Sequence, residues 1–231
     1  MESEGRRLLD LANEAREKEQ FFEAFDLSDQ AMIAFDKDDD DAGCAESLAC
    51  RSINLRIYAN LNESTRILIS AKFEMMGSVE IARKSNNPTA LALPLYNLAQ
   101  LHEDLKEYED AVKVYAEAVK AMEHNPPQSH NRPSVLANMR VHMTTCEYKA
   151  GDTSALDRIY QALADLESAE EPNLYNRDVW LSGACMRIAD ALRVNDPEKA
   201  QEHLQKAKDI IDANPELTIR KKQWDKFAAT F

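Results

Sequence analysis

Leu95 to Val119 reads L-Y-N-L-A-Q-L-H-E-D-L-K-E-Y-E-D-A-V-K-V-Y-A-E-A-V, and the spacing inside this stretch decides the fold. Ala111, Tyr115 and Ala118 stand at i, i+4 and i+7, so one helix carries all three on one face. Small residues at both ends of such a set let a neighbouring helix approach closely, and the bulky residue between them fills the remaining gap. Leu95, Leu98 and Ala99 form a similar face on a preceding helix, with Ala99 twelve positions before Ala111. The stretch therefore predicts two antiparallel helices joined by a short turn.

The pattern extends in both directions. Ala24, Ser28 and Ala31 repeat the spacing, as do Ala71, Met75 and Ser78, then Ala155, Ile159 and Ala162, then Ala200, Leu204 and Ala207. Each set follows a packing residue eleven or twelve positions earlier, at Ala12, Ala59, Met143 and Ala189. The unit is a helical hairpin, and there are five. Turn signals separate the helices at Asp40–Gly43, Ser85–Pro88, Asn125–Pro133, Gly151–Thr153, Glu170–Pro172, Asn195–Pro197 and Asn214–Pro215. Asp196-Pro197-Glu198 is a helix start, with a capping Asp, Pro in the first turn and an acid beside it; Asp152 can cap similarly.

The third unit resembles a tetratricopeptide repeat. Leu95, Leu98, Ala99, Tyr108, Ala111, Tyr115 and Ala118 match that repeat's packing residues, and the resemblance spreads over residues 5–213. The first alanine (Ala24, Ala71, Ala111, Ala155, Ala200) recurs at intervals of 47, 40, 44 and 45 residues. These intervals exceed the usual repeat of about 34, so longer helices must absorb the excess. The resemblance implies an all-α, right-handed superhelical solenoid of five hairpins in a single domain spanning residues 1–231. Residues 216–230 would form a capping helix, in which Trp224, Phe227 and Phe231 cover the last apolar face while Arg220, Lys221 and Lys222 meet water.

Composition agrees with helix. Only 5 Gly and 7% aromatics stand in 231 residues, with abundant Ala, Leu, Glu, Lys and Arg. A formal net charge of −13 argues against nucleic acid or an anionic membrane as partner. No apolar run approaches the roughly 18 residues that span a bilayer, and the N-terminal M-E-S-E-G-R-R lacks a signal core. Cys44, Cys50, Cys146 and Cys185 are scattered, as in a reduced, cytoplasmic protein.

The sequence offers few candidates for chemistry. Residues 36–43, D-K-D-D-D-D-A-G, suggest a calcium loop, but neither register fits: from Asp36 the sixth residue is Asp41 and the twelfth Ser47, and from Asp38 the fifth is Ala42 and the twelfth Ala49. The run reads instead as acids before a helix N-terminus. His142 and Cys146 lie one turn apart, but no second ligand pair accompanies them. GxSxG, P-loop, GxGxxG and HExxH motifs are all missing. The expectation is a protein without metal, cofactor or catalysis.

What remains is a binding surface. In tetratricopeptide proteins the first helix of each hairpin lines a concave groove. Carried over, this implies Arg6, Leu9, Asn13 and Arg16; then Arg56, Asn60 and Glu63; then Leu93, Tyr96, Asn97, Gln100 and Glu103; then Arg140, Thr144 and Glu147; then Met186, Arg187, Asp190 and Arg193. The binding candidates among them are Arg16, Arg56, Asn60, Tyr96, Asn97, Gln100, Arg140, Thr144, Arg187 and Arg193. Arginine forks suit carboxylates and amides suit peptide backbone, so the expected partner is a protein or peptide segment, acidic or ending in a free carboxylate. The bland alternative is a solvated face on which Glu63, Glu103 and Glu147 neutralise the arginines. Three other functions stand behind it: an oligomerisation module, a phosphopeptide cradle like that of 14-3-3 proteins, and a helical enzyme.

Overall fold

Eleven α-helices form among residues 3–231, which are the residues described by the computed structural model of the chain. They pair as expected. The first hairpin is α1 (Glu4–Glu17) with α2 (Phe21–Lys37), the second α3 (Asp41–Leu61) with α4 (Thr65–Lys84), and the third α5 (Ala92–Asp104) with α6 (Tyr108–His124). The fourth is α7 (Pro133–Lys149) with α8 (Ala155–Ser168), and the fifth α9 (Leu174–Leu192) with α10 (Pro197–Ala213). A last helix, α11 (Thr218–Ala228), packs on α9 and α10. The helices divide into two compact units, one ending at Pro127 and the other starting at Gln128. The division falls inside the Pro-rich segment between α6 and α7.

All fifteen residues of the small–bulky–small sets are buried, none more than 4% exposed. Ala12, Ala59, Ala99 and Ala189 are fully buried. The fifth first-helix residue departs. Met143 is only half-buried, and His142, Thr145 and Cys146 take the interior positions of α7. In the second hairpin Ser78 stands where other repeats have alanine, and its hydroxyl donates to the Ala45 carbonyl at 2.6 Å. Ser52 donates in turn to the Ala71 carbonyl at 2.7 Å. Both buried hydroxyls are satisfied across the helix pair, so neither bears the cost of an unpaired buried donor.

The turns inside the first three hairpins share one geometry that the sequence does not advertise. Glu19, Glu63 and Lys106 adopt φ of 59°, 55° and 62°, a left-handed conformation normally left to glycine. The next N–H bonds back five residues, Gln20 to Ala15, Ser64 to Ala59 and Glu107 to His102, each at 2.9 Å. This is the helix-ending arrangement that satisfies otherwise orphaned carbonyls. Asp196 caps α10 by accepting from the Lys199 N–H at 3.2 Å. Asp152 does not cap a helix. It accepts from Ser154 N–H at 3.0 Å in the turn before α8.

The final helix is also partly as expected. Leu217 and Ile219 are buried, and Trp224 sits half-buried with its indole N–H donating to the Leu204 carbonyl at 3.2 Å. Lys221 and Lys222 are exposed. Arg220 turns inward instead, donating to the Val179 carbonyl at 3.1 Å and to Gln223 at 2.7 Å. Phe231 is 38% exposed, its ring 5.5 Å from that of Phe227.

Candidate functional site

In the first unit, α3 and α5 bring four polar side chains together. Arg56 and Asn60 are one turn apart on α3, and Gln100 and Asp104 are one turn apart on α5, so each helix aims a pair at the other. Arg56 Nε donates to Asp104 Oδ2 at 2.6 Å, and its Nη2 reaches Oδ1 at 3.3 Å. Arg56 Nη1 donates to the Gln100 amide oxygen. Asn60 Nδ2 donates to Asp104 Oδ2 at 2.8 Å. The Arg56 and Asp104 side chains are only 14% and 19% exposed. Burial disfavours the guanidinium charge, but Asp104 more than offsets it, so Arg56 is held above its ordinary pKa. Beside the cluster, the Tyr115 hydroxyl donates to buried Glu103 at 2.8 Å.

Three of the candidate residues, Arg56, Asn60 and Gln100, thus converge on one carboxylate, and it belongs to the chain itself. Asp104 is not among the residues that the sequence singles out. Its only signal is its place one turn beyond Gln100. Of the acids expected to neutralise the arginines, Glu147 pairs with Arg158 at 2.9 Å and Glu103 receives Tyr115.

The other candidates in this unit make contacts of their own. Arg16 donates to Asn13 Oδ1 at 2.7 Å and lies 3.2 Å from Glu17. Asn97 donates to the Leu93 carbonyl of its own helix at 2.9 Å. The Tyr96 ring lies 5.9 Å from that of Tyr115. In the second unit, Thr144 is buried and donates to the Arg140 carbonyl at 2.9 Å, while the Arg140 side chain is half-buried. Arg187 donates to the Gly183 carbonyl at 3.0 Å. Arg193 donates to the Thr230 carbonyl at 2.7 Å and sits 5.5 Å above the Phe231 ring.

The aspartate corner has a packing explanation. Asp40 caps α3, accepting from Gly43 N–H at 2.9 Å. The Phe35 ring lies between Gly43 and Gly5. A methyl group on Gly5 would sit 2.8 Å from that ring, and one on Gly43 would be closer still. Gly43 therefore serves the close approach of a phenyl ring, not a metal loop. Among the described residues no three His, Cys, Asp or Glu side chains are arranged to hold a metal ion. All four cysteines are free thiols. Burial raises Cys50, and pushes Cys185 up to about 11, so neither is poised as a thiolate. No described helix is long and apolar enough to cross a membrane.

A family profile described as tetratricopeptide repeat matches residues 94–123, which cover most of α5 and α6. One tetratricopeptide repeat therefore lies in the third hairpin. Solved structures extend the likeness beyond that one repeat. Nearly identical TPR-like repeats of a Podosopora anserina protein described as a kinesin light chain align at 16% identity, covering 89% of this chain and 93% of theirs, with a TM-score of 0.57; a point variant of those repeats gives 0.58. A Rap protein complexed with Competence and Sporulation Factor aligns at 16% identity over 99% of this chain and 61% of its own, with a TM-score of 0.63. At that identity the likeness is one of fold. No curated protein matches the sequence.

Proposed function

We propose that this protein is a cytoplasmic binding adaptor or sensor that takes up a polypeptide segment along its first helices and catalyses no reaction. The segment is acidic or ends in a free carboxylate. Arg16, Arg56, Asn60, Tyr96, Asn97 and Gln100 would serve it in the first unit, and Arg140, Thr144, Arg187 and Arg193 in the second. A Rap protein of related fold was solved with Competence and Sporulation Factor, which supports a bound partner for this fold without naming one here.

The observation that carries the reading is the Arg56 cluster. Arg56 and Asn60 already grip a carboxylate with charge-assisted hydrogen bonds. In the free protein that carboxylate is Asp104. An incoming carboxylate would exchange with it, leaving Arg56 compensated throughout and Asp104 turned to water. Exchange matters because stripping a buried charge of its partner costs about 3–5 kcal/mol, whereas replacing the partner avoids that loss. Asp104 then acts as a built-in competitor that lowers affinity for weak ligands.

The test is calorimetric titration of an acidic peptide with a free C-terminus, and of its amidated twin, into the full chain. Binding should weaken with salt, because exposed charges are screened over about 8 Å at physiological ionic strength. Arg56→Ala should remove the preference for the free carboxylate. Equal binding of both peptides by the wild type would overturn the reading.

A further inference from the structure

The five second helices bury the same kind of face, but they differ in what they show to solvent. On α4, Ile69, Phe73 and Met76 recur at helical spacing and are 42%, 64% and 46% exposed. On α2, Phe22 is 78% and Ile33 54% exposed. The exposed positions of α6 carry charged or small side chains, such as Glu109, Lys113, Ala116 and Glu117, and no large apolar one. No large hydrophobic residue of α8 or α10 is exposed either. Solvated apolar side chains grouped on two neighbouring helices mark an interaction surface, whereas single ones do not.

Both helices pack on α3. Arg51 of α3 lies 3.0 Å from Asp29 of α2 and also pairs with Glu74 of α4, so one guanidinium ties the outer sides together. The Phe22 ring packs edge-on against Phe25 and Tyr58, at 6.1 and 6.2 Å, which holds an exposed ring in place. The charges around the apolar residues are of opposite sign on the two helices. The exposed ionic residues of α2 are Glu23, Asp26, Asp36 and Lys37, and those of α4 are Arg66, Glu80, Arg83 and Lys84. Arg83 pairs with Glu117 and Lys84 with Glu80, so Arg66 is the exposed cation of α4 outside these pairs, and it offers the acidic apolar face of α2 a complementary charge.

We infer that this surface docks a second copy of the same chain, α2 of each protomer lying on α4 of the other. A two-fold axis brings residue i onto j and j onto i, so a molecule carrying both complementary faces side by side satisfies itself twice. Phe22 and Ile33 meet the partner's Ile69, Phe73 and Met76, and Asp26 faces the partner's Arg66. Two chains of net charge −13 repel at long range. Apolar contact must overcome that repulsion, so association tightens as salt screens it. A cationic foreign segment on the same face would behave oppositely.

Sedimentation equilibrium of the full chain, over roughly 5 to 200 μM to bracket micromolar affinity, tests this. The wild type should reach dimer, more readily with added salt. Phe73→Glu, or Phe22→Glu, should weaken association by about tenfold to a hundredfold, the equivalent of exposing one buried aromatic side chain. Arg66→Glu should weaken it by about two- to fivefold, the range of an exposed ion pair. Adding Asp26→Arg to Arg66→Glu should restore it. Far-ultraviolet circular dichroism should show each variant folded. A wild type that stays monomeric, or dimers untouched by Phe22→Glu and Phe73→Glu, would overturn the proposal. Failure of the charge exchange to restore association would overturn the pairing of α2 with α4.

Discussion

Helices α4 and α6 are the same element built twice, and they agree on one side only. Aligned at Ala71 and Ala111, their buried positions correspond: Met75 with Tyr115, Ser78 with Ala118, Val79 with Val119, all less than a tenth exposed. Their exposed positions do not. Ile69 aligns with Glu109, Phe73 with Lys113 and Met76 with Ala116. The buried side answers to helix packing within the repeat, which permits few choices. The exposed side answers to whatever the surface must meet, so it varies from one hairpin to the next.

Substitutions on the two sides should separate accordingly. Ala111→Leu should overpack the third hairpin and cost about 1–3 kcal/mol in urea denaturation, while Ala116→Leu, on the same helix but facing water, should stay within about 0.5 kcal/mol of wild type. Equal effects would show that the aligned faces are misassigned. Gly43→Ala places a methyl group against the buried Phe35 ring and should cost about 1–2 kcal/mol. A neutral result there would mean that the glycine is not a packing requirement. Lys106→Gly should raise stability by about 0.5–1 kcal/mol, since a left-handed non-glycine residue costs about 1–2 kcal/mol and glycine returns part of that as unfolded-state entropy. Phe73→Lys, which gives α4 the residue of α6, should leave monomer stability unchanged within about 0.5 kcal/mol. A large loss would mean that Phe73 is part of the fold and not of a surface.

The same division explains what can be read in advance. The hairpins are legible because their buried sets obey a fixed spacing, and the weaker second repeat keeps that spacing even with Ser78 in place of alanine. The turns within the first three hairpins are not legible, because Glu19, Glu63 and Lys106 hold conformations that sequence reasoning reserves for glycine. The alanine offsets locate those hairpins despite the silent turns. The fourth first helix is misregistered at Met143, because its connection to α8 runs over five residues, 150–154, with Gly151 at φ 109°, against three residues in each of the first three hairpins. Of the site, Arg56, Asn60 and Gln100 can be found because they occupy repeat positions. Asp104 escapes notice because partnership across two helices leaves no periodic trace, and one acid near a helix end looks like any other. The inward turn of Arg220 is hidden for a like reason: a cationic side chain at a helix start gives no sign of a carbonyl waiting on another helix.

Whether the Arg56 cluster is a carboxylate receptor occupied by the chain's own Asp104 can be asked directly. The free-carboxylate acidic peptide is titrated into wild type and into Asp104→Asn, a substitution that removes the internal competitor while keeping its shape. If Asp104 fills the receptor, Asp104→Asn should bind the peptide about tenfold or more tightly, in proportion to the fraction of receptors freed, and Arg56→Ala in the same background should abolish the gain. Unchanged or weaker binding by Asp104→Asn, in a variant that circular dichroism shows to be folded, would contradict this and leave the Arg56–Asp104 pair as a structural tie between α3 and α5.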